Sequence, residues 1–145
     1  MPIYLQWLDE PSEQDRTDLD KLYADAPVQW LSEAGHTKGA DWAITKQKQG
    51  ELVALGRFND RIVCGACLEW QADSAPLSHL YEVKQLCVRA ITRERGVAKQ
   101  LLVRLCQWAN ETQASLYVRD DTGDLACLYE LGFVQYLQGW RYTPL

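Results

Sequence analysis

The stretch from residue 51 to residue 70 constrains the fold most. "ELVALGRF" (51–58) and "RIVCGACLEW" (61–70) are apolar, strand-like runs with only Asn59 and Asp60 between them. Asn and Asp tolerate the left-handed backbone that a tight two-residue connection demands, so the two runs predict an antiparallel hairpin. A hairpin this apolar belongs inside a sheet covered by other elements. Cys64 and Cys67 make a C-x-x-C within the second run. Side chains three apart on a strand face opposite ways. Both are therefore expected to be small buried residues and not ligands of a shared metal.

The remaining elements follow from periodicity and punctuation. "IYLQWL" (3–8) reads as a strand. Ser12 and Asp15 have the spacing of a capping box, and Leu19, Leu22, Tyr23 and Ala26 form one apolar stripe of a helix that Pro27 ends. Residues 28–49 suggest a short helix near Val28–Ala34, broken by Gly35 and Gly39, with Trp30 and Trp42 as core anchors. "ADSAP" (72–76) is a turn and "LSHLYEVKQLCVR" (77–89) a long strand. A helix from Gly96 puts Val97, Leu101, Leu102, Leu105, Trp108 and Ala109 on one stripe. "SLYVRD" (115–120) is a strand, "LACLYE" leads a short helix to Leu131, Gly132 caps it, and "FVQYL" and "WRYTP" are final strands. Hairpins followed by a strand–helix–strand unit give an α+β (mixed α/β) fold, one sheet layer covered by helices.

The chain has 145 residues, enough for one domain (1–145) with a real core. No apolar run reaches 18 residues, so no membrane partner is expected, and the opening "MPIYLQWLDEPSEQD", without a basic n-region or cleavage signal, leads us to expect no secretory leader. The expected location is the cytoplasm. Five cysteines, an odd number, imply no disulfide framework there, and only two histidines, His36 and His79, leave a zinc site short of ligands. The net charge of −5 weighs against a nucleic-acid partner. Within it lies a basic island: Lys84, Arg89, Arg93, Arg95, Lys99 and Arg104 against one acid, Glu94. Such an island suits a small anionic ligand.

The island centres on "RERGVA" (93–98), between the long strand and the long helix. The first turn of a helix offers unpaired N–H groups and the positive end of a dipole. Gly96 and Ala98 leave that end uncrowded, and Arg93 and Arg95 add charge. The combination fits a phosphate or pyrophosphate cradle. The alternative is an ordinary basic loop. No G-x-x-x-x-G-K-[ST] and no G-x-G-x-x-G occurs, which sets aside P-loop and dinucleotide fingerprints.

Arg93-x-x-Gly96-x-Ala98 after "LCV", the helix behind it and the later "YELGF" resemble the GNAT superfamily of acyl-CoA N-acyltransferases. The resemblance implies a central, mostly antiparallel, twisted sheet flanked by helices, with coenzyme A or acetyl-CoA as cofactor. It implies that the strand edge at Leu86, Cys87 and Val88 pairs with the pantetheine arm. It also implies that Thr92, Arg93, Glu94, Arg95, Gly96, Val97, Ala98 and Lys99 hold the pyrophosphate. Enzymes of this kind use a base, for which Glu82 is the candidate, and an acid, for which Tyr129 is the candidate. A solvent-facing strand residue is the commoner role for a residue placed like Glu82. Tyr129 lies three residues before Gly132, where the family pattern has four, and about 100° per residue turns it away. Cys127 has no histidine beside it in sequence and is not expected to be a nucleophile.

"SEQDRTDLDKLY" (12–23), "GRFNDRIV" (56–63), "LCVRAITRERGVA" (86–98) and "LGFVQYLQGW" (131–140) resemble the PanZ (PanM) family within that superfamily. These are maturation and regulatory factors of aspartate 1-decarboxylase. The resemblance implies a CoA- or acetyl-CoA-loaded protein that binds the decarboxylase precursor and promotes its self-cleavage to the pyruvoyl form. It further implies inhibition of the mature decarboxylase, and so feedback on CoA synthesis. Arg57 and Asn59 match the family's partner contacts. An active N-acetyltransferase acting on an amine is the alternative. Cys87 stands where a basic residue is usual, Ala98 where the second glycine is usual, and both are expected to lower CoA affinity.

Overall fold

The computed structural model describes residues 2–71, 79–92, 96–120 and 127–145. In chain order these form β1 (Tyr4–Trp7), α1 (Glu13–Ala24), α2 (Val28–Glu33), α3 (Gly39–Lys48), β2 (Leu52–Phe58), β3 (Arg61–Trp70) and β4 (His79–Val88). A 3-10 turn (Ala90–Thr92), α4 (Val97–Thr112), β5 (Ala114–Arg119), α5 (Cys127–Glu130), β6 (Val134–Tyr136) and β7 (Gly139–Tyr142) follow. The strands make one seven-stranded sheet, ordered β1-β2-β3-β4-β5-β7-β6. The β4–β5 pair is parallel and the others are antiparallel. The expected turn at 72–76 lies outside the described residues.

The β2–β3 hairpin forms as the sequence predicts, with Asn59 and Asp60 at φ of 49° and 63°. Both residues are left-handed, as a type I′ turn needs. The strands are buried on both faces. Cys64 joins the core under α4, with Leu101, Leu102 and Leu105, whereas Cys67 joins the core under α1 and α3, with Leu19, Leu22, Tyr23 and Trp42. The two cysteines thus face opposite sides of the sheet.

The capping box of α1 is present. Asp15 N–H donates to Ser12 Oγ at 3.1 Å, and Ser12 N–H donates back to Asp15 Oδ2 at 3.3 Å. The helix stops at Ala24, so Ala26 lies past its end. Further along, α3 corrects the expectation of a broken segment at 28–49. Gly39 opens a helix there instead of breaking one. A Cβ at Gly39 would lie 2.6 Å from the Leu19 carbonyl oxygen and from Tyr23 Cβ. Glycine is there because α3 presses against α1, and Asp20 of α1 caps it by accepting the Ala40 N–H at 2.9 Å. That contact buries Trp42, which meets Tyr23 edge-to-face at 4.7 Å and stacks on Trp30 at 6.3 Å.

Candidate functional site

The sheet forks between β4 and β5. The two strands pair only from His79 to Glu82 against Ala114 to Tyr117. Beyond that, Val118 and Arg119 of β5 pair with β7, and β4 runs on to Val88 with β3 on its other edge. Among the described residues no strand pairs with the β5-facing edge of Val83–Val88. A bulge sharpens the bend: Gln85 and Leu86 together oppose Ala66, and Gln85 takes φ of 53°. Left-handed backbone at a non-glycine residue outside a turn or a helix cap is strained, which makes Gln85 a pointer to a site.

A cleft of about 520 Å³ opens at the fork, lined by Trp30, Glu82, Lys84, Gln85, Leu86 and Arg119 among others. Glu82 is 3% exposed, which overturns the expectation of a solvent-facing side chain. Burial of this carboxylate is possible because Arg119 Nε donates to Oε1 at 2.6 Å and Lys84 Nζ stands 3.7 Å from Oε2. Lys84 also pairs with Glu69. Burial pushes the Lys84 ammonium toward its neutral form, but Glu69 and Glu82 outweigh it and raise its pKa. Gln85 adds a buried amide oxygen with no hydrogen-bond partner among the described residues. Arg119 and Gln85 carry no local sequence signal, because their place depends on the parallel register and the bulge.

The expected cofactor residues fall around this fork. Leu86 lines the cleft and Val88 is half-buried beside the α4 core. Cys87 turns the other way, and its thiol donates to the Leu22 carbonyl at 3.4 Å. Thr92 is buried, with its hydroxyl on the Arg89 carbonyl at 2.9 Å. Arg93, Glu94 and Arg95 lie outside the described residues. Gly96 precedes α4 at φ of 71°, with open space where a Cβ would stand. It has no side chain to cap the first-turn N–H groups of Val97, Ala98 and Lys99. Val97 itself is buried, Ala98 is half-buried, and Lys99 pairs with Glu130 at 2.9 Å on the surface.

Tyr129 is 74% exposed on α5, while its neighbour Leu128 is buried in the core. The one-residue offset read from the sequence does turn the tyrosine outward. At the β2–β3 hairpin, Arg57 is drawn inward at the base by Gln6, Asp15 and the Asp60 carbonyl, and Asn59 stands exposed at the apex.

Known structures share this architecture. YhhK from E. coli, determined bound to coenzyme A, superposes with a TM-score of 0.61 at 21% identity, covering 99% of each chain. The GNAT-family N-acetyltransferase YhbS from E. coli, in complex with CoA, gives 0.67 at 13% identity over 97% of this chain and 81% of its own. A GNAT-family acetyltransferase from Elizabethkingia anophelis with acetyl-CoA bound gives 0.61 at 18% identity over 94% and 78%. At these identities the likeness establishes the GNAT fold. No curated protein matches the sequence. The profile of the acetyltransferase (GNAT) domain of PanZ type matches residues 2–134. With nearly the whole chain matched, the protein belongs to the PanZ family of GNAT domains.

Proposed function

We propose that this protein is a CoA-dependent regulator of aspartate 1-decarboxylase: loaded with CoA or acetyl-CoA, it binds the decarboxylase precursor and promotes its self-cleavage. The observation that carries the CoA half is the fork. The Val83–Val88 edge offers backbone donors and acceptors that no strand among the described residues takes up, and after it comes the first turn of α4, to which the N-cap Gly96 brings no side-chain cap. An extended amide-bearing arm satisfies such an edge, and a pyrophosphate satisfies such a turn. Leu86, Cys87 and Val88 would hold the arm. Thr92 to Lys99, including Arg93, Glu94 and Arg95, would hold the pyrophosphate. Within that set Thr92 contributes by shaping the turn, since its N–H and its hydroxyl both donate to the Arg89 carbonyl at 2.9 Å. The thioester end, where acetyl is present, would supply an acyl group to the cleft.

The decarboxylase half rests on membership of the PanZ family and on the exposed Asn59 hairpin tip with Arg57 behind it. No acid or base is needed from this chain for that role. Binding shifts the precursor toward its reactive geometry by the difference in affinity for the two states. The outward Tyr129 agrees with a protein that binds without transferring acetyl.

One observation favours a second reading, acetyl transfer to an amine: Glu82 is a buried carboxylate inside the cleft. It is, however, already engaged by Arg119. A cleavage time course of purified precursor, followed by mass spectrometry, separates the two. Faster cleavage only with both this protein and CoA or acetyl-CoA is the expected result. No acceleration of a precursor that does cleave on heating overturns the proposal. In that case acetyl transfer abolished by Glu82→Gln, with CoA affinity kept, would support the second reading.

A further inference from the structure

Two arginines flank the hairpin turn, Arg57 on β2 and Arg61 on β3. Each is taken by one carboxylate of α1. Arg57 Nη1 and Nη2 donate to the two Asp15 oxygens at 3.0 Å each. Arg61 Nε and Nη2 donate to Asp18 at 2.9 Å and 2.6 Å. Asp15 and Asp18 are three apart and so share a helix face. A single turn of α1 thereby clamps both strands at the base of the turn.

Arg57 does more than pair with Asp15. Its Nε donates to Gln6 Oε1 of β1, and Nη1 donates also to the Asp60 carbonyl at 3.0 Å. Only one N–H of the fork is left over. The Arg57 side chain is 13% exposed and that of Asp15 16%. On the turn itself, Tyr4 Oη donates to Asp60 Oδ1 at 3.0 Å. Asp60 is thus held at its carbonyl and at its side chain, and Asn59 projects from a fixed base.

We infer that Asp15 is a positioning residue of the partner surface: acting through Arg57, it fixes the orientation in which the turn presents Asn59. Arg57 holds the turn from behind and keeps one N–H free beside it. This rests on the hairpin-tip assignment made above. Most of the guanidinium fork is spent on β1, α1 and the turn, so the orientation of Arg57 depends on Asp15. Lysine could not replace it, because one ammonium cannot make the bidentate pair and the Gln6 and Asp60 bonds together.

The test is a double-mutant cycle on precursor binding by the CoA-loaded protein. The variants are Asp15→Asn, Arg57→Ala and both together, with Asp41→Asn as a control in an exposed pair with Arg16. The amide introduced by Asp15→Asn keeps an acceptor for the Ser12 N–H, so α1 still starts correctly. The expected loss is about 10-fold for Asp15→Asn and at least that for Arg57→Ala. The double variant should lose no more than Arg57→Ala alone, and the control should lose nothing. CoA affinity should be unchanged throughout. In the absence of precursor, the Asn59 amide resonance should shift or split in Asp15→Asn and stay put in the control. The inference is overturned if Asp15→Asn binds precursor within about twofold of the parent, or if the two single losses multiply in the double variant. Equal loss of CoA affinity also overturns it, since that would mark general unfolding. A parent protein that fails to bind precursor at all fails in its own arm of the cycle, and takes the hairpin-tip assignment and this inference down together.

Discussion

Asp18 carries its charge with no exposed surface. Burial alone would push its carboxyl up, but the Arg61 guanidinium and the Ile62 N–H, which donates to Oδ2 at 3.1 Å, outweigh it and hold the group below the usual range. The hydrogen bonds from Arg57 do the same for Asp15. A carboxyl depressed in the folded state stabilises fully above its unfolded pKa, and that stabilisation drains away as pH falls through the folded value. Unfolding free energy should therefore drop below about pH 4, and Asp18→Ala should remove part of that acid dependence. At neutral pH the same substitution should lower the urea midpoint, because it leaves the buried Ile62 N–H without its acceptor, while the half-exposed Arg61 can turn to water. A second test at this scale concerns thiols. Burial pushes Cys64, Cys67 and Cys106 up to about 12, so an alkylating reagent at neutral pH should spare them until the protein unfolds. Rapid labelling of any of the three in the folded state would contradict the packing described. Ser12, Asp15, Asn59 and Asp60 were legible in the sequence because their roles are set within a few residues. Glu82 was not, because its burial depends on Arg119, 37 positions away.

Helix α3 shows what local signals miss. Helix propensity favours alanine over glycine by about 1 kcal/mol, so propensity alone predicts that Gly39→Ala stabilises the protein. The 2.6 Å approach to Leu19 and Tyr23 predicts the reverse. Overpacking of this kind costs about 1–3 kcal/mol, and the net expectation is a lower thermal midpoint. A rise would mean that α1 and α3 yield easily. The sequence could not reveal this helix by its caps, since its N-cap, Lys38, makes no side-chain bond and the cap comes from Asp20 on another helix. At the start of α4 the sign differs. A Cβ on Gly96 meets nothing within 4 Å, so Gly96→Ala carries only the left-handed backbone cost of about 1 kcal/mol. Its larger effect should fall on CoA affinity, measured by calorimetry, because the new methyl group stands at the mouth of the first turn.

At the scale of the molecule, the proposed CoA site is the fork in an otherwise ordinary helix-covered sheet. Its ingredients were partly visible: the hairpin, the long strand at 77–89 and the amphipathic helix after Gly96 all appear near their expected places. The fork itself was visible only through family resemblance, because strand order and the Gln85 bulge are properties of the assembled sheet. The most direct measurement is amide hydrogen exchange of the intact protein with and without CoA. If CoA occupies the fork, added protection should concentrate on Val83–Val88 and on Val97–Lys99, and the Asn59 hairpin should change little. Protection that leaves β4 untouched, or none at a CoA concentration that saturates binding, would contradict the assignment of the fork as the CoA site.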